Sequence, residues 1–307
     1  MKNFDLVQFA SDLELANAVA AAWLREVEAT TRKGAMHYVA LSGGRIARQF
    51  FAALVEQTKR KAVSLAGVHF FWADERCLPP TDPESNYGIA RQILFEPLRI
   101  RRDQIHRIHG EDSPQSAAVQ ATAELRRVVP ADPSGQPVLD FVFLGLGEDG
   151  HIASLFPGEP DALVGSPAIY RAVVATKPPP NRITLGYAPI TTAAHVWVLA
   201  SGKGKEQALG DSLAMSMRLI KPLTPALSPS DGERECAFPP VERSLFSDAI
   251  HDQAKVLPLP FLKGEGRGEG SRPLPRYGLA ERGPTPLARL LQMRASTRIF
   301  TDLSVEH

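Results

Sequence analysis

The sequence predicts an α/β fold built on a largely parallel sheet. Apolar runs of strand length alternate with amphipathic stretches of helical periodicity up to about residue 202, and such alternation is typical of βαβ units. The run VLDFVFLGLG at 138–147 is almost continuously apolar, as expected of a strand that is covered on both faces. Polar and glycine residues follow several of these runs, so we expect the functional groups at the edge where parallel strands end.

Helices and strands are predicted from periodicity and capping signals. Ser11 and Glu14 form a capping box for a helix over 11–31, whose apolar positions include Leu13 and Trp23. Further helices are predicted at 45–59, 85–98 and 116–129. Strands are predicted at 37–44, 67–76, 138–147, 168–176, 182–190, 195–202 and 297–305.

Composition excludes several classes of function. The 307-residue chain is 44% hydrophobic and carries a formal net charge of +1, so we expect no nucleic-acid partner and no membrane partner. No apolar run reaches the roughly 18 to 20 residues that span a bilayer, and the N-terminus lacks the pattern of a signal peptide. Cys77 and Cys236 are too few for a disulfide framework or a zinc site, which favours a reducing, cytoplasmic location.

Composition changes between about Gly210 and Pro284. Stretches such as IKPLTPALSPSDGERE and LPLPFLKGEGRGEGSRPLPRYG are rich in proline and glycine, so they bury too little surface to offset their chain entropy. We therefore expect one domain over 1–307, interrupted by a low-complexity insertion at about 211–283. A small cap over the site is the alternative for this segment.

The loop after the 138–147 run contains a G-x-G-x-x-G pattern, the fingerprint of a dinucleotide-binding turn. Its glycines are Gly145, Gly147 and Gly150. The third glycine of such a turn opens a helix, but Pro157 and Gly158 stop any helix within about two turns. The next predicted strand is followed by Lys177 rather than by the acidic residue that binds a ribose. A dinucleotide cofactor is therefore not expected.

The same loop offers a general base. Asp149 and His151 are two residues apart, and in a locally extended loop both side chains project to one side. Asp149 would then orient the imidazole and raise its basicity, while the glycines let backbone N–H groups approach an anion closely. We predict His151 as the catalytic base and Asp149 as its partner; a loop histidine without a task is the alternative.

The LSGG turn predicts an anion site. Ser42, Gly43 and Gly44 precede a predicted helix, and the free N–H groups at a helix N-terminus bind phosphate. The Ser42 hydroxyl can add a hydrogen bond. Arg45, in the first turn of the helix, opposes the helix dipole unless it faces an anion. We therefore expect these four residues to contact a phosphate.

Two further segments add charge at the same edge of the predicted sheet. Asp74 and Arg76 lie at the C-terminal end of the strand predicted at 67–76. Arg76 can bind phosphate there in a bidentate manner while a carboxylate orients it; a structural ion-pair network is the alternative. Lys177 precedes three prolines, which hold its loop with little loss of entropy, and Arg182 follows. Several cations in a near-neutral protein predict a small, doubly charged ligand such as a sugar phosphate.

These blocks resemble those of the 6-phosphogluconolactonases. The segment LDFVFLGLGEDGHIASLFPG resembles the signature loop of that family, and LSGG, WADERCLPPTDPESNYG, TKPPPNRITL and HVWVLASGKGKEQAL resemble its other blocks in the same order. The resemblance covers about 1–210 and 284–307. Glucosamine-6-phosphate deaminases share G-x-G-x-x-G-H but continue toward Asn-Glu-Pro-Gly, whereas SLFPG follows here, which favours the lactonases.

The resemblance implies a fold, a reaction and residue roles. The fold would be a Rossmann-like, three-layer α/β sandwich with a mostly parallel sheet, shared with the deaminases. The reaction would be hydrolysis of 6-phospho-D-glucono-1,5-lactone in the oxidative pentose phosphate pathway, without metal or cofactor, by a monomer or weak homodimer. The histidine matching His151 would act on the attacking water, and the residues matching Arg76 and Lys177 would hold the phosphate.

One departure from the family pattern concerns the anion site. Family members usually have serine or threonine after LSGG, whereas this chain has Arg45-Ile46-Ala47, so a cation replaces hydroxyl donors and the phosphate contacts would be rearranged.

The sequence leaves two alternatives to the lactonase function open. One is an aldose–ketose isomerase of the deaminase type, and the other is a non-catalytic sensor of sugar phosphates that uses the same anion site.

Overall fold

The structure, a computed structural model, describes residues 4–218, 283–294 and 296–304. The predicted insertion at about 211–283 lies outside the described residues apart from its two ends. At its N-terminal end, residues 211–218 are helical, so the predicted start at 211 falls inside a helix. No helix in the three described ranges has the length and hydropathy needed to cross a bilayer.

Nine α-helices lie within the described residues. They are α1 (Asp12–Arg32), α2 (Arg45–Lys61), α3 (Asn86–Ala90), α4 (Glu96–Leu98), α5 (Pro114–Val128), α6 (Asp161–Val164), α7 (Tyr187–Thr192), α8 (Glu206–Arg218) and α9 (Pro286–Met293). A π turn at Arg91–Phe95 joins α3 to α4, and a 3₁₀ turn follows at Arg102–Gln104. The four predicted helices are confirmed, the one at 85–98 with the π turn inside it.

Nine strands lie within the same residues. They are β1 (Phe4–Gln8), β2 (His37–Leu41), β3 (Val68–Trp72), β4 (Asp74–Arg76), β5 (Phe141–Gly145), β6 (Tyr170–Val174), β7 (Asn181–Leu185), β8 (His195–Ala200) and β9 (Thr297–Thr301). The main sheet has the order β1-β9-β8-β5-β2-β3, and each neighbouring pair is parallel. The first four residues of β5 are all buried, so both faces of the sheet centre are covered. The predicted three-layer α/β fold is confirmed.

The strand order reverses between β2 and β5. From β2 the chain continues to β3 on one side, and from β5 it continues through β8 to β9 on the other. The loops that leave the carboxyl ends of β2 and β5 therefore diverge, which opens a crevice between them. Ser42 directly follows β2, and the loop with Asp149 and His151 follows β5. The two predicted site loops are thus neighbours at this switch point.

A second sheet, with the antiparallel order β4-β7-β6, corrects the strand predicted at 67–76. That segment forms two strands, because the chain changes sheet at Ala73. The Ala73 N–H donates to the carbonyl of Leu41 at 2.7 Å, and its carbonyl accepts from the N–H of Leu185 at 2.8 Å. One residue therefore bonds to β2 in the first sheet and to β7 in the second.

The strand predicted at 182–190 is wrong in its second half. Strand β7 ends at Leu185, and α7 begins at Tyr187. Gly186 lies at the junction, where a Cβ would stand only 2.5 Å from the carbonyl oxygen of Ala168. The close approach of that backbone ends the strand, a constraint that apolar alternation does not reveal.

Helix α1 illustrates how capping and burial combine. The Ser11 hydroxyl accepts a hydrogen bond from the N–H of Glu14 at 3.2 Å, as the capping box predicts. Trp23 is fully buried, and its Nε1 donates to Nε2 of His37 at 3.0 Å. Burial lowers the pKa of His37 to about 4, although Asp140 acts to raise it. The neutral imidazole can therefore accept the indole hydrogen bond.

Substitution on the two faces of α1 tests this packing. We expect Trp23→Ala to lower the free energy of unfolding by about 3–5 kcal/mol, because a large buried ring and its hydrogen bond are both lost. Leu13 lies on the same helix but is 60% exposed, so Leu13→Ala should change stability by no more than about 0.5 kcal/mol. Urea denaturation of both variants is the measurement, and equal losses would contradict the assignment of the buried face.

Candidate active site

The crevice between β2 and β5 is a cleft, here named the switch-point cleft, lined by charged and glycine residues. Its walls are the turn after β2, the loop after β5, the β4–α3 region and the segment after β8. The lining includes Ser42, Gly43, Gly44, Arg45, Asp74, Arg76, Asn86, His151, Arg182 and Lys205. Of the ten site residues predicted from the sequence, eight therefore line one cleft, while Asp149 and Lys177 lie outside its lining.

His151 and Asp149 form a hydrogen-bonded pair at this cleft. Nδ1 of His151 lies 2.5 Å from Oδ1 of Asp149, and the backbone N–H of His151 donates to the same oxygen at 3.2 Å. Nδ1 must carry a proton, since a carboxylate only accepts. Nε2 makes no hydrogen bond to any described residue, so its lone pair is available to a ligand or a water molecule.

The charge state of Asp149 supports this arrangement. Burial alone would raise the pKa of Asp149, but the hydrogen bond and the charge of His151 outweigh it and hold the pKa at about 2. The carboxylate is therefore ionised at neutral pH and can accept the hydrogen bond from Nδ1 of His151. The His151 side chain is 24% exposed, which lets a ligand in the cleft reach the ring.

Gly147 is required by the Asp149–His151 pair. A Cβ at 147 would lie 2.0 Å from Nδ1 of His151 and 2.7 Å from Oδ1 of Asp149, so the imidazole packs directly against the bare Cα. The N–H of Gly147 donates to the His151 carbonyl at 2.9 Å, and the N–H of Gly150 donates to the Gly147 carbonyl at 3.1 Å. These two N–H groups, expected to face an anion, instead close the loop.

Residues that precede and follow residues 219–282 support the same loop. Gly150 has a φ of +82°, and a Cβ there would lie 2.9 Å from Cγ2 of Thr285, the N-cap of α9. Oγ1 of Thr285 lies 2.7 Å from Oγ of Ser212 in α8, and Ser212 is fully buried.

After Gly150 the chain forms turns rather than a helix. The loop therefore lacks the helix N-terminus that a dinucleotide pyrophosphate uses.

The turn after β2 offers backbone rather than hydroxyl donors. The Ser42 hydroxyl donates to the carbonyl of Phe143 at 2.8 Å, so its proton is used inside the protein. Gly44 is the N-cap of α2 with a φ of +99°, and no side chain caps the helix. The first N–H groups of α2 are therefore uncovered, as an anion site at a helix N-terminus requires.

Arg45 and Lys205 place two cations beside this turn. Both line the cleft, and the guanidinium of Arg45 packs against Gly202, where a Cβ would lie 3.1 Å from Nη2. Burial, and next the charge of Arg45, lower the pKa of Lys205, while Glu148 acts to raise it. Like charges in this position repel, and an anion between them removes the repulsion.

Arg76 and Arg182 form a second pair of cations. They are directly opposite each other on β4 and β7. Arg76 donates from Nη1 to the carbonyl of Glu84 at 2.6 Å, and Arg182 donates from Nε to the carbonyl of Pro179 at 3.1 Å. Each guanidinium has five N–H donors, so both keep donors for a ligand. Opposed like charges on neighbouring strands are unfavourable unless an anion shares them.

Asp74 does not orient Arg76. Its Oδ2 accepts a hydrogen bond from Oγ of Ser154 at 2.7 Å, and no ion pair joins Asp74 to Arg76 among the described residues. The Glu84 carbonyl is the group that fixes the guanidinium. Asp74 therefore contributes a buried, hydrogen-bonded carboxyl group to the cleft wall rather than an ion-pair partner for Arg76.

Lys177 is not brought into the cleft. Its ammonium lies 3.5 Å from the carboxylate of Glu148, and its side chain is 64% exposed. Its backbone carbonyl accepts a long hydrogen bond of 3.4 Å from Nη2 of Arg182. The lysine that lines the cleft is instead Lys205.

Two polar side chains of the lining were not among the predicted site residues. Asn86 is buried and donates from Nδ2 to the carbonyl of Asp74 at 2.9 Å, whereas its Oδ1 has no hydrogen-bond partner within the described residues. Oδ1 packs against Gly43, where a Cβ would stand 1.9 Å away. Lys205 had a usable signal, because SGKGK follows β8 at the same edge of the sheet as the other site loops.

The fold and the cleft define a class of protein: an α/β protein with a cationic cleft at the switch point of a parallel sheet and a histidine–aspartate pair beside it. In the described part of the chain, no group of three or more His, Cys, Asp or Glu residues could hold a metal ion. A family model described as glucosamine-6-phosphate isomerases/6-phosphogluconolactonase matches residues 10–232. The chain belongs to this family.

Similar sequences carry the lactonase name. The chain is 34% identical over 198 residues to a 6-phosphogluconolactonase from Treponema pallidum, covering 64% of this chain and 80% of the relative. It is 35% identical over 211 residues to a 6-phosphogluconolactonase from Streptomyces coelicolor, covering 66% of this chain and 80% of the relative. These alignments span most of both relatives.

Solved structures show the same fold. A 6-phosphogluconolactonase from Trypanosoma brucei superposes with a TM-score of 0.61 at 27% identity, covering 68% of this chain and 86% of that chain. A monomeric glucosamine-6-phosphate deaminase superposes with a TM-score of 0.63 at 14% identity, covering 98% of this chain and 97% of that chain. At that low identity the second likeness shows the fold alone.

A pair of glycine substitutions tests the geometry of the loop. Gly147→Ala should break the hydrogen bond between His151 and Asp149, because the new methyl group would occupy the position of the imidazole. Gly145→Ala is the matched control, since a Cβ there would lie 3.8 Å from its nearest neighbour, the Gly43 carbonyl oxygen. The measurement is the downfield imidazole N–H resonance of His151 by NMR. Its persistence in Gly147→Ala would refute the proposed packing.

Proposed function

We propose that this protein hydrolyses 6-phospho-D-glucono-1,5-lactone to 6-phospho-D-gluconate, a carboxylic ester hydrolysis of the oxidative pentose phosphate pathway. The observation that carries the proposal is the Asp149–His151 pair, which leaves Nε2 of His151 free at a cleft lined by four cations. Relatives named as 6-phosphogluconolactonases support this substrate. The proposal extends to a cytoplasmic enzyme, supported by the low cysteine content, that acts as a monomer or weak homodimer.

His151 is the general base in this reaction. Nε2 removes a proton from water while the water oxygen forms a bond to the lactone carbonyl carbon. The bond from that carbon to the ring oxygen then breaks, and the ring oxygen takes the proton back from the imidazolium. Asp149, ionised at neutral pH, stabilises the imidazolium and keeps Nδ1 as the donor. Such a base contributes about 10²–10⁴ to the rate.

The substrate phosphate is held at the N-terminus of α2. Uncovered backbone N–H groups stand there beside Arg45 and Lys205, and a dianion relieves the repulsion between the two side chains. Arg45 stands where family members usually have a serine or threonine hydroxyl. It supplies positive charge and a bidentate donor, because the Ser42 hydroxyl proton in the turn after β2 is already donated to the carbonyl of Phe143. The phosphate contact predicted for Lys177 is thus assigned to Lys205.

Arg182 stabilises the negative charge that develops on the lactone carbonyl oxygen. Its guanidinium lies 5.8 Å from the ring centroid of Phe156, and that ring lies 5.1 Å from the imidazole of His151. The cation is therefore placed near the base, where the tetrahedral intermediate forms. A preorganised positive charge in a partly buried site favours that intermediate over the neutral lactone.

Replacement of the base tests the reaction. We expect His151→Ala to lower kcat for 6-phosphogluconolactone by about 10²–10⁴, with affinity for 6-phosphogluconate kept within about threefold. His195 is an exposed histidine at the first residue of β8, at the opposite edge of the parallel sheet, so His195→Ala should retain full activity. The measurement is a coupled assay on freshly prepared lactone.

Lactone turnover, ammonia release and ligand binding together distinguish the alternative functions. Wild-type-like turnover by His151→Ala would refute the role of the base. Ammonia release from glucosamine 6-phosphate by the wild-type protein, without lactone turnover, would replace the lactonase by a deaminase. Binding of 6-phosphogluconate without turnover of either substrate would instead indicate a sensor.

Replacement of neighbouring lysines tests the phosphate site. We expect Lys205→Ala to raise KM by about tenfold or more while kcat changes less, because a charged hydrogen bond to the phosphate is lost in both ground state and transition state. Lys203 is exposed two residues earlier and does not line the cleft, so Lys203→Ala is the matched control. Steady-state kinetics checks both variants, and an unchanged KM in Lys205→Ala would contradict the assignment.

A further inference from the structure

A second concave site lies outside the switch-point cleft. It is a groove of about 750 Å³ between the π turn and α5, here named the basic groove. Its lining includes Arg91, Phe95, Arg99, Arg102, His106 and Glu124. Its volume falls in the range of small-molecule pockets, roughly 300–1,000 Å³. The lactonase reaction proposed above uses none of these side chains.

Two arginine side chains of the basic groove have no partner among the described residues. The guanidinium groups of Arg99 and Arg102 make no hydrogen bond and no ion pair there, although both residues line the groove. Nε of Arg91 is buried without a hydrogen bond and lies 3.4 Å from the Glu96 carboxylate. Unpaired guanidinium groups that share one concavity are the residue type that binds phosphate in a bidentate manner.

The backbone that carries these arginines is unusual. Arg91 and Phe95 are the first and last residues of the π turn, and π turns inside helices occur frequently at functional sites. Arg99 has a φ of +52°, a left-handed conformation at a helix end that glycine usually occupies. The groove is therefore built from a specialised stretch of chain rather than from a regular helix face.

The acidic residues of the groove do not cancel this charge. Glu124 already accepts hydrogen bonds from Arg127 at 2.7 Å and from His106 at 2.7 Å. Glu96 faces Arg91 alone among the described residues. The positive charge of Arg99 and Arg102 is thus left for a ligand.

Two aromatic rings that line the groove already have partners. The ring of His106 stacks on Phe71, with centroids 4.4 Å apart, and also lies 5.2 Å from the ring of His69. Tyr87 has the guanidinium of Arg107 over its face at 5.6 Å. A nucleobase that stacked on either of these two rings would have to compete with an existing partner, which favours a ligand without an aromatic ring.

We infer that the basic groove is a binding site for a small phosphorylated molecule with two or more anionic groups and no aromatic ring. Arg99 and Arg102 bind its phosphate oxygens, and buried Phe95 forms part of the apolar floor. The site is distinct from the switch-point cleft but adjacent to it along the chain. Asn86 lines the cleft and Tyr87 lines the groove, so consecutive residues of α3 contribute to the two sites.

Calorimetry with inorganic pyrophosphate tests the inference. The titration uses the full chain carrying Lys205→Ala, which weakens the anion site of the cleft. We expect one molecule of pyrophosphate to bind this protein, and Arg99→Ala with Arg102→Ala to weaken its affinity by about tenfold or more. Arg101 is the matched control, because it lies between the two, pairs with Asp103 and does not line the groove. Arg101→Ala should leave the affinity within about twofold.

Three outcomes would overturn the inference. One is the absence of pyrophosphate binding at millimolar concentration in the Lys205→Ala protein. Another is an equal loss of affinity in Arg101→Ala and in the double variant, which would indicate a diffuse charge effect. The third is tighter binding of ADP than of pyrophosphate that depends on the same arginines, which would indicate a nucleotide site. Thermal unfolding of each variant confirms that the fold is kept.

Discussion

The reversal of strand order between β2 and β5 is the constraint on which the rest of the site depends. In a parallel sheet, adjacent carboxyl ends normally send their connections to the same side, but here the chain leaves in opposite directions. The Ser42–Gly44 turn and the loop bearing His151 are therefore forced to face one another across a crevice. The uncovered N-terminus of α2, proposed to bind the phosphate, and the proposed base His151 thus become neighbours although about 100 residues separate them in the sequence.

A buried carboxylate joins the two sides of the β4–α3 region. Glu75 is 1% exposed and accepts backbone N–H bonds from Arg76, Asn86 and Tyr87 at 2.7, 2.8 and 2.7 Å. Burial raises the pKa of Glu75 to about 7, although these bonds favour its charged form. The carboxylate holds the start of α3 against β4, so it fixes Arg76 and Asn86 in the cleft and Tyr87 at the basic groove.

Local chemistry was predictable from the sequence, whereas long-range placement was not. The proximity of Asp149 and His151 follows from two-residue spacing in a glycine loop, and the structure confirms their hydrogen bond. The second sheet was missed because alternation over 67–76 looks the same whether one sheet or two receive the strand. Strand β1 was also not predicted. Its partner is the C-terminal strand β9, and such a long-range pairing leaves no local pattern in the sequence. The sequence predicted Lys177 in the cleft, whereas the structure places Lys205 there. Which of the two loops reaches the N-terminus of α2 depends on the tertiary fold, which spacing along the sequence does not reveal.

The proposed anion affinity of this protein rests on the placement of charge rather than on its total. The formal net charge is only +1, yet Arg45 stands beside Lys205 and Arg76 stands opposite Arg182. Such like-charge pairs repel each other in the absence of a ligand. An anion that binds between them removes this repulsion, and the removal contributes to the free energy of binding. The same reasoning distinguishes the proposed site from exposed arginines such as Arg127 and Arg101, each of which is paired with a carboxylate. A cation that has no carboxylate partner in a concave site therefore indicates an anion-binding site better than the overall charge does.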